Sequence, residues 1–445
     1  MPENDLFKQK KPRVTVVGAG LAGSECALQL AELGYPVTLL EMRGGTLTPA
    51  HKTAGCAELV CSNSFGSKSE NSAPGQLKWE AQKLGSKILS SAFGNEVPAG
   101  QALGIDRELF SKEVTRLVKE HPLIKYEESC VQKLSEIPRP AVIATGPLTH
   151  PELAKDLAEH FGDEFLYFFD AIAPIIDADS IDYDIVWRAD RYDKGTPDYL
   201  NCPLDREQYF HLINEIKLAR KIETKEFEKT PYFESCMPIE AIVDRGDLTL
   251  AFGPMKPKGL KNPKTGFEPF AVVQLRQENK EATCYNMVGF QTKMAYGEQV
   301  RVFRMIPGLE KAEFLKLGSI HRNLFIHTPK KLNRDLSSKI DPMLFFAGQI
   351  TGVEGYFDST CIGLLVARFI DQKLSDRPFD PPPRASAMGS LLNAITEEKE
   401  NFQPTNINFG LFPSIPQKMD KTKKKELQLN HAREAFLNYL KEEIS

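Results

Sequence analysis

After a polar leader, the apolar positions begin with a short β-branched run, Arg13-Val14-Thr15-Val16-Val17. A glycine-rich stretch, Gly18-Ala19-Gly20-Leu21-Ala22-Gly23, follows, and then a segment from Ser24 to Leu33 with apolar residues at helical spacing. The pattern predicts strand, tight turn and amphipathic helix. Gly34 ends the helix, Pro36-Val37-Thr38-Leu39-Leu40 reads as a second strand, and Glu41 stands at its end. Two later apolar runs read as buried strands: Ala141-Val142-Ile143-Ala144, running into Thr145-Gly146, and Leu344-Phe345-Phe346-Ala347, running into Gly348-Gln349. Between them, Leu248–Phe252 and Ala271–Leu275 show strand-like alternation, and His211–Glu226 is patterned as a helix. Gly363–Ile370 reads as a helix after the third run, and beyond Pro381-Pro382-Pro383 the chain is charged and helix-rich, its last helical stretch at about Glu434–Lys441.

The opening order of strand, glycine turn, helix, strand and acid is that of a dinucleotide-binding βαβ unit. Each position has a physical reason. Gly18 permits the tight turn, Gly20 lets main-chain N–H groups approach a pyrophosphate, and Gly23 allows the helix to pack closely on the strand. The helix N-terminus favours negative charge. Glu41 can accept hydrogen bonds from both ribose hydroxyls and disfavours a 2′-phosphate, and Arg43 is expected at the adenosine end. The Ala-Thr-Gly turn at Gly146 resembles the second motif of glutathione-reductase-type flavoproteins, and Gly348-Gln349 their third, with Gln349 in place of an Asp. Together they point to FAD, bound through Gly18, Ala19, Gly20, Leu21, Ala22, Gly23, Glu41, Arg43, Gly146, Gly348 and Gln349.

Because these motifs lie far apart, the FAD-binding domain is expected to be discontinuous. It would comprise 1–90, 138–180 and 300–380, with 91–137 and 181–299 as an inserted mixed α/β domain and 381–445 as a C-terminal helical segment. The expected fold class is α/β, with a glutathione-reductase-like, Rossmann-type nucleotide domain.

Composition narrows the class of partner. Of 445 residues, 56 are Lys or Arg and 60 are Asp or Glu, a formal net charge of −4, so any nucleic acid would be held by a local basic patch. Lys256 and Lys258 sit in such a patch, within a Gly/Pro-rich loop that can approach a phosphate chain. The acidic start, Met1-Pro2-Glu3-Asn4-Asp5, lacks the features of a secretory leader, and no run is long and apolar enough for a membrane span, so a cytoplasmic protein without a membrane partner is expected. The 8 cysteines contain no Cys-x-x-Cys pair and are expected as thiols. His51, Cys56 and Cys61 fit no common zinc pattern, and no metal is expected.

Five blocks are more specific than the nucleotide fingerprint: Ala57-Glu58-Leu59-Val60-Cys61-Ser62-Asn63-Ser64, Tyr199-Leu200-Asn201-Cys202-Pro203, Phe233-Glu234-Ser235-Cys236-Met237-Pro238-Ile239-Glu240, Phe252-Gly253-Pro254-Met255-Lys256-Pro257 and Gly352-Val353-Glu354-Gly355-Tyr356. Across nearly the whole chain the sequence resembles the bacterial folate- and flavin-dependent tRNA (uracil-5-)-methyltransferases, relatives of the wobble-uridine flavoprotein MnmG. The resemblance implies conversion of the T-loop uridine of tRNA to 5-methyluridine. The carbon would come from 5,10-methylenetetrahydrofolate, be carried on flavin N5, and be reduced with electrons from NADPH or NADH; no obligate protein partner is implied.

Uracil C5 is a poor nucleophile until something adds to C6, and a thiolate can add there and later leave. Cys236 and Cys61 match the family's pair of functional cysteines, with Cys236 assigned as the C6 nucleophile and Cys61 as the C5 base or protector of the flavin adduct; the swapped assignment is the alternative. Ser62 and Asn63 are candidate flavin or folate contacts, or caps of a following helix, and His321, Arg322 and Tyr356 are candidates to contact a pterin or flavin. The rival functions are the same chemistry on ribosomal RNA, a plain FAD/NAD(P)H oxidoreductase, which leaves the Cys61 and Cys236 blocks without a task, and a flavin-binding RNA module without catalysis.

Overall fold

The computed structural model describes residues 11–162, 165–193, 196–222, 232, 237–399, 402–415 and 420–444. The β-branched run Val14–Val17 lies at the centre of a five-stranded parallel sheet, in the order Leu344–Phe346, Ala141–Ile143, Val14–Val17, Val37–Glu41, Ile124–Glu128. All four of its residues are buried, as expected for a parallel strand covered on both faces. The Leu21–Glu32 helix packs on the Tyr356–Leu374 helix so closely that a Cβ on Gly363 would lie 2.2 Å from the Ala22 carbonyl oxygen. Strands far apart in sequence thus share one sheet, which makes the nucleotide unit discontinuous.

A second unit is built on a six-stranded antiparallel sheet, ordered Trp187–Ala189, Tyr199–Leu204, Ala271–Gln277, Cys284–Met287, Ile175–Asp177, Phe314–Lys316. Its core runs from Ile176 to Ala312 and is separate from the core of the nucleotide unit. Leu166–Ala171 and Ile320–Phe325 pair antiparallel and carry the chain between the two.

Several boundaries differ from the sequence reading. Residues 91–137, expected in the inserted domain, join the nucleotide unit instead. The Arg107–Glu120 helix buries Phe110, Val114 and Val118, one face at a spacing of four, against that core, and Ile124–Glu128 adds to Val37–Glu41 as the edge strand. Conversely, Ile175–Asp177 and Phe314–Lys316, expected in the nucleotide domain, belong to the second sheet. Leu248–Phe252 is not a strand. Thr249–Phe252 is a helical turn with adjacent Leu250 and Ala251 buried and Leu248 and Phe252 exposed, a burial pattern that period-two alternation does not produce. The helix expected over His211–Glu226 runs from Arg206 to Leu218, opened by an Asp205/Gln208 capping box; 223–226 lie outside the described residues. The final helix, Lys421–Ile444, is much longer than expected and packs through Phe436 on Trp79, ring centroids 6.1 Å apart.

Helix ends inside the nucleotide unit are satisfied by buried acids from other helices. Glu80 accepts the main-chain N–H groups of Ala387 at 2.7 Å and Met388 at 2.8 Å, closing the N-terminus of Ala387–Thr396. Glu80→Ala leaves these donors buried without an acceptor, and urea unfolding is expected to show a loss of about 2–4 kcal/mol.

Candidate active site

The glycine turn forms one wall of a solvent-open cleft at the carboxyl ends of the parallel strands. Gly18 has φ +99°, and a Cβ there would lie 2.6 Å from the Ala144 carbonyl oxygen, so the turn admits no side chain. Gly23 lies within the helix, where a Cβ would fall 1.8 Å from the Gly18 carbonyl oxygen. Gly20 differs from both. It has no atom within 4 Å of its Cβ position and faces open space, while the Leu21–Glu32 helix it begins carries neither a side-chain cap nor an acid in its first turn. An uncapped helix N-terminus beside empty space is suited to a phosphate. Leu21, Ala22, Gly146, Gly348 and Gln349 line the same cleft.

Glu41 and Arg43 close the far end. Glu41 Oε2 accepts from Ala19 N at 2.7 Å and from Arg43 Nη2 at 2.9 Å, and Oε1 accepts from Arg43 N at 3.0 Å. Burial opposes ionisation of Glu41, but these donors outweigh it and hold the carboxyl below its usual value. Arg43 Nη1 is buried without a hydrogen-bond partner among the described residues, 4.0 Å from Glu58 Oε2. The open space at Gly20 and this unpaired buried donor fit a dinucleotide pyrophosphate and adenosine, so the residues present suit FAD. His51, on the same wall, is lowered to about 4 by burial and by Arg43, and is neutral at physiological pH.

The thiol-bearing segment Leu59–Asn63 runs past this cleft, with Val60 in its wall. Four side chains from four different elements hold it. Cys61 N donates to Tyr356 Oη at 2.6 Å, and Tyr356 also lines the cleft. Arg107 Nη1 and Nη2 donate to the Leu59 and Cys61 carbonyls at 2.8 and 3.0 Å, while Arg107 pairs with Glu278 of the second unit. Lys316 Nζ donates to the Val60 carbonyl at 2.8 Å. Arg276 reaches Asn63 Oδ1 and Ser62 Oγ, both at 2.9 Å. The Cys61 thiol lies 3.7 Å from the Ala171 carbonyl oxygen and is half-buried. Burial pushes the Cys56 and Cys284 thiols up to about 11, and also raises Cys26, Cys130, Cys202 and Cys361.

The remaining candidates divide. Asn63 is fully buried and spans the two units, its amide donating to the Ile105 and Gln277 carbonyls at 3.1 and 3.0 Å, so it is structural rather than a ligand contact. Neither Ser62 nor Asn63 caps a helix; the strand Ser64–Ser67 follows, and Ser62 Oγ accepts from Ser64 N. His321 and Arg322 fall on the strand Ile320–Phe325, with their side chains outside the described residues, and Cys236 lies outside them altogether. Lys256 and Lys258 are exposed in a loop whose carbonyls at these two residues accept from Arg191 Nη1. Arg191 also donates to Gln274, which shares a face of the Ala271–Gln277 strand with Arg276 two residues on, so the basic loop and the thiol segment are anchored to one strand face. Sequence reading missed Arg107, Arg276, Glu278 and Lys316, whose contacts are all distant in sequence. Among the described residues no helix is long and apolar enough to cross a membrane, and no group of three metal-ligating side chains occurs.

Comparison with known proteins agrees with this geometry. The family described as Glucose inhibited division protein A matches residues 13–378. The chain is 70% identical over 424 residues to the methylenetetrahydrofolate--tRNA-(uracil-5-)-methyltransferase TrmFO of Bdellovibrio bacteriovorus, covering 95% of this chain and 96% of that one. It is 49% identical over 422 residues to the protein of the same name from Syntrophotalea carbinolica, covering 94% and 92%. Among solved structures, GidA of Aquifex aeolicus shares the fold, with a TM-score of 0.66 at 14% identity, over 98% of this chain and 76% of that one. The chain belongs to the Glucose inhibited division protein A family of flavoproteins and, within it, to the methylenetetrahydrofolate--tRNA-(uracil-5-)-methyltransferases named TrmFO.

Proposed function

We propose that this chain methylates C5 of the T-loop uridine of tRNA, drawing the carbon from 5,10-methylenetetrahydrofolate and electrons from NADPH or NADH. The observation that carries this reading is the hydrogen bond from the Cys61 main chain to Tyr356, which lines the dinucleotide cleft: it ties a half-buried thiol segment to the edge of that cleft. When bound, FAD supplies N5 as the carrier of the one-carbon unit and the hydride that reduces it to a methyl group.

The chain's own residues do the rest. The N-terminus of Leu21–Glu32 receives the pyrophosphate, and Glu41 accepts the ribose hydroxyls. The Cys236 thiolate adds to uracil C6, forming a C–S bond and moving the electron pair of the 5,6 double bond onto C5, which then attacks the electrophilic carbon. Cys61 takes the proton from C5, whose C–H electron pair forms an exocyclic C5=CH2 bond as the bond from that methylene carbon to its carrier breaks. Hydride added to the same carbon gives the methyl group and returns an electron pair to C5, which re-forms the 5,6 double bond and expels the Cys236 thiolate.

Turnover with a tRNA transcript, isotopically labelled methylenetetrahydrofolate and NADPH or NADH tests this reading. Labelled 5-methyluridine at the T-loop position is expected, with none from S-adenosylmethionine. Label only in ribosomal RNA, or nicotinamide oxidation with no RNA product, would refute it. Lys256 and Lys258, with exposed Tyr192, Phe252 and Phe267 on the same unit, supply charge and stacking for the RNA. Lys256→Ala with Lys258→Ala is expected to weaken tRNA binding and reduce the salt dependence of log K by about 2, with FAD content unchanged, as read by filter binding across a salt series.

A further inference from the structure

Lys316 is the last residue of the edge strand of the second sheet, yet its side chain leaves that unit to reach the thiol segment. It is half-buried and, among the described residues, makes one hydrogen bond, to the Val60 carbonyl, and no ion pair. The charged and titratable groups facing it are Arg107, Lys52, Glu58 and Cys61, together with His51, which is neutral at physiological pH. An ammonium withdrawn from water beside two other cations lowers stability unless something offsets it, and burial, with Arg107 and Lys52, lowers Lys316 to about 8. A methionine of similar length would fill the space without that cost. The cation therefore calls for a functional account, and its position supplies one: it grips the residue before Cys61, while Arg107 grips the residues on either side of Val60.

We propose that Lys316 is a positioning residue for Cys61, fixing the main chain that carries the thiol and placing a positive charge where negative charge develops on its sulfur. This rests on the reading that Cys61 takes part in the reaction. The charge is set in place before reaction, at no reorganisation cost when the sulfur reacts. It reaches the site from the second unit, so the thiol is activated only when the two units are correctly docked. An arginine keeps the charge at every accessible pH, whereas the lysine loses it as pH rises through about 8.

The test is the rate at which iodoacetamide alkylates Cys61 in the FAD-loaded holoenzyme, measured from pH 6 to 10 and assigned by peptide mass spectrometry, for the parent, Lys316→Arg and Lys316→Met. At pH 7, Lys316→Met is expected to react on the order of fivefold more slowly, with Lys316→Arg matching the parent. Above pH 8, Lys316→Arg should outpace the parent by about twofold as the parent's cation is lost. Thermal unfolding of Lys316→Met should occur at the parent's temperature or higher, the reverse of what a purely structural lysine would give. Superimposed profiles for all three proteins, or an arginine variant that behaves like methionine, would overturn the proposal. If Lys316→Met does not fold, the comparison of Lys316→Arg with the parent above pH 8 still decides. Turnover of Cys61→Ser separately tests the reading beneath it: normal turnover removes Cys61 from the reaction, while the alkylation profiles report on Lys316 in either case.

Discussion

Cys236→Ala is expected to reduce 5-methyluridine formation by on the order of 10³-fold or more, with FAD content and unfolding temperature unchanged. Uracil C5 has no useful nucleophilicity until C6 is saturated, so removing the group that adds to C6 removes the reaction rather than slowing one of its steps. Cys61→Ala is also expected to be inactive, but at a later point: with Cys236 intact, C6 addition still occurs and an RNA–protein adduct accumulates. Single-turnover kinetics with product quantified by mass spectrometry, run beside denaturing gels for the adduct, separate the two. An adduct in Cys236→Ala that is missing from Cys61→Ala would exchange the two assignments.

The second large effect is at Gly20. Its backbone, at φ −70° and ψ −172°, is extended and open to any residue, and no atom lies within 4 Å of the Cβ position. Gly20→Val is therefore expected to fold with an unaltered denaturation midpoint while losing FAD affinity by about 100-fold or more, because its side chain occupies the pyrophosphate path. Gly23→Ala should behave in the opposite manner, since its Cβ would meet the Gly18 carbonyl oxygen at 1.8 Å and force the helix off the sheet before any ligand is considered. Flavin absorbance after purification and urea unfolding of the apoprotein distinguish a lost ligand from a lost fold. Equal destabilisation of both variants would mean that Gly20 serves packing and does not face the cofactor.

How far the sequence could be read depended on whether a signal was local. Val14–Val17, the Gly18–Gly23 turn and Glu41 were legible because strand, turn and helix succeed one another within a few residues and each glycine has a separate steric reason. The discontinuity of the nucleotide unit followed from the spacing of the Gly146 and Gly348 turns, but its edges did not. Nothing in Phe110, Val114 and Val118 says which of two cores they enter; only the pairing of Ile124–Glu128 with Val37–Glu41 decides. Leu248–Phe252 was misread because five residues of alternation also fit one helical turn. At the site, Cys61 stood out through its block, whereas Arg107, Arg276 and Lys316 reach the segment that carries it, at Cys61, Ser62 and Val60 respectively, from distant parts of the chain. Asn63 shows the converse: adjacency to Cys61 suggested a ligand contact, and its buried amide instead joins the two units.

The central claim is that a cysteine of this chain bonds to C6 of the target uracil while the bound flavin delivers carbon to C5. Incubation of the FAD-loaded protein with methylenetetrahydrofolate, NADPH and T-arm RNA carrying 5-fluorouridine at the target position tests it most directly, because fluorine cannot leave C5 as a proton does. The account predicts a denaturation-resistant RNA–protein complex whose linkage maps to the peptide containing Cys236. Absence of any such complex under conditions where ordinary T-arm RNA is methylated, or a linkage to a residue other than Cys236 or Cys61, would contradict it.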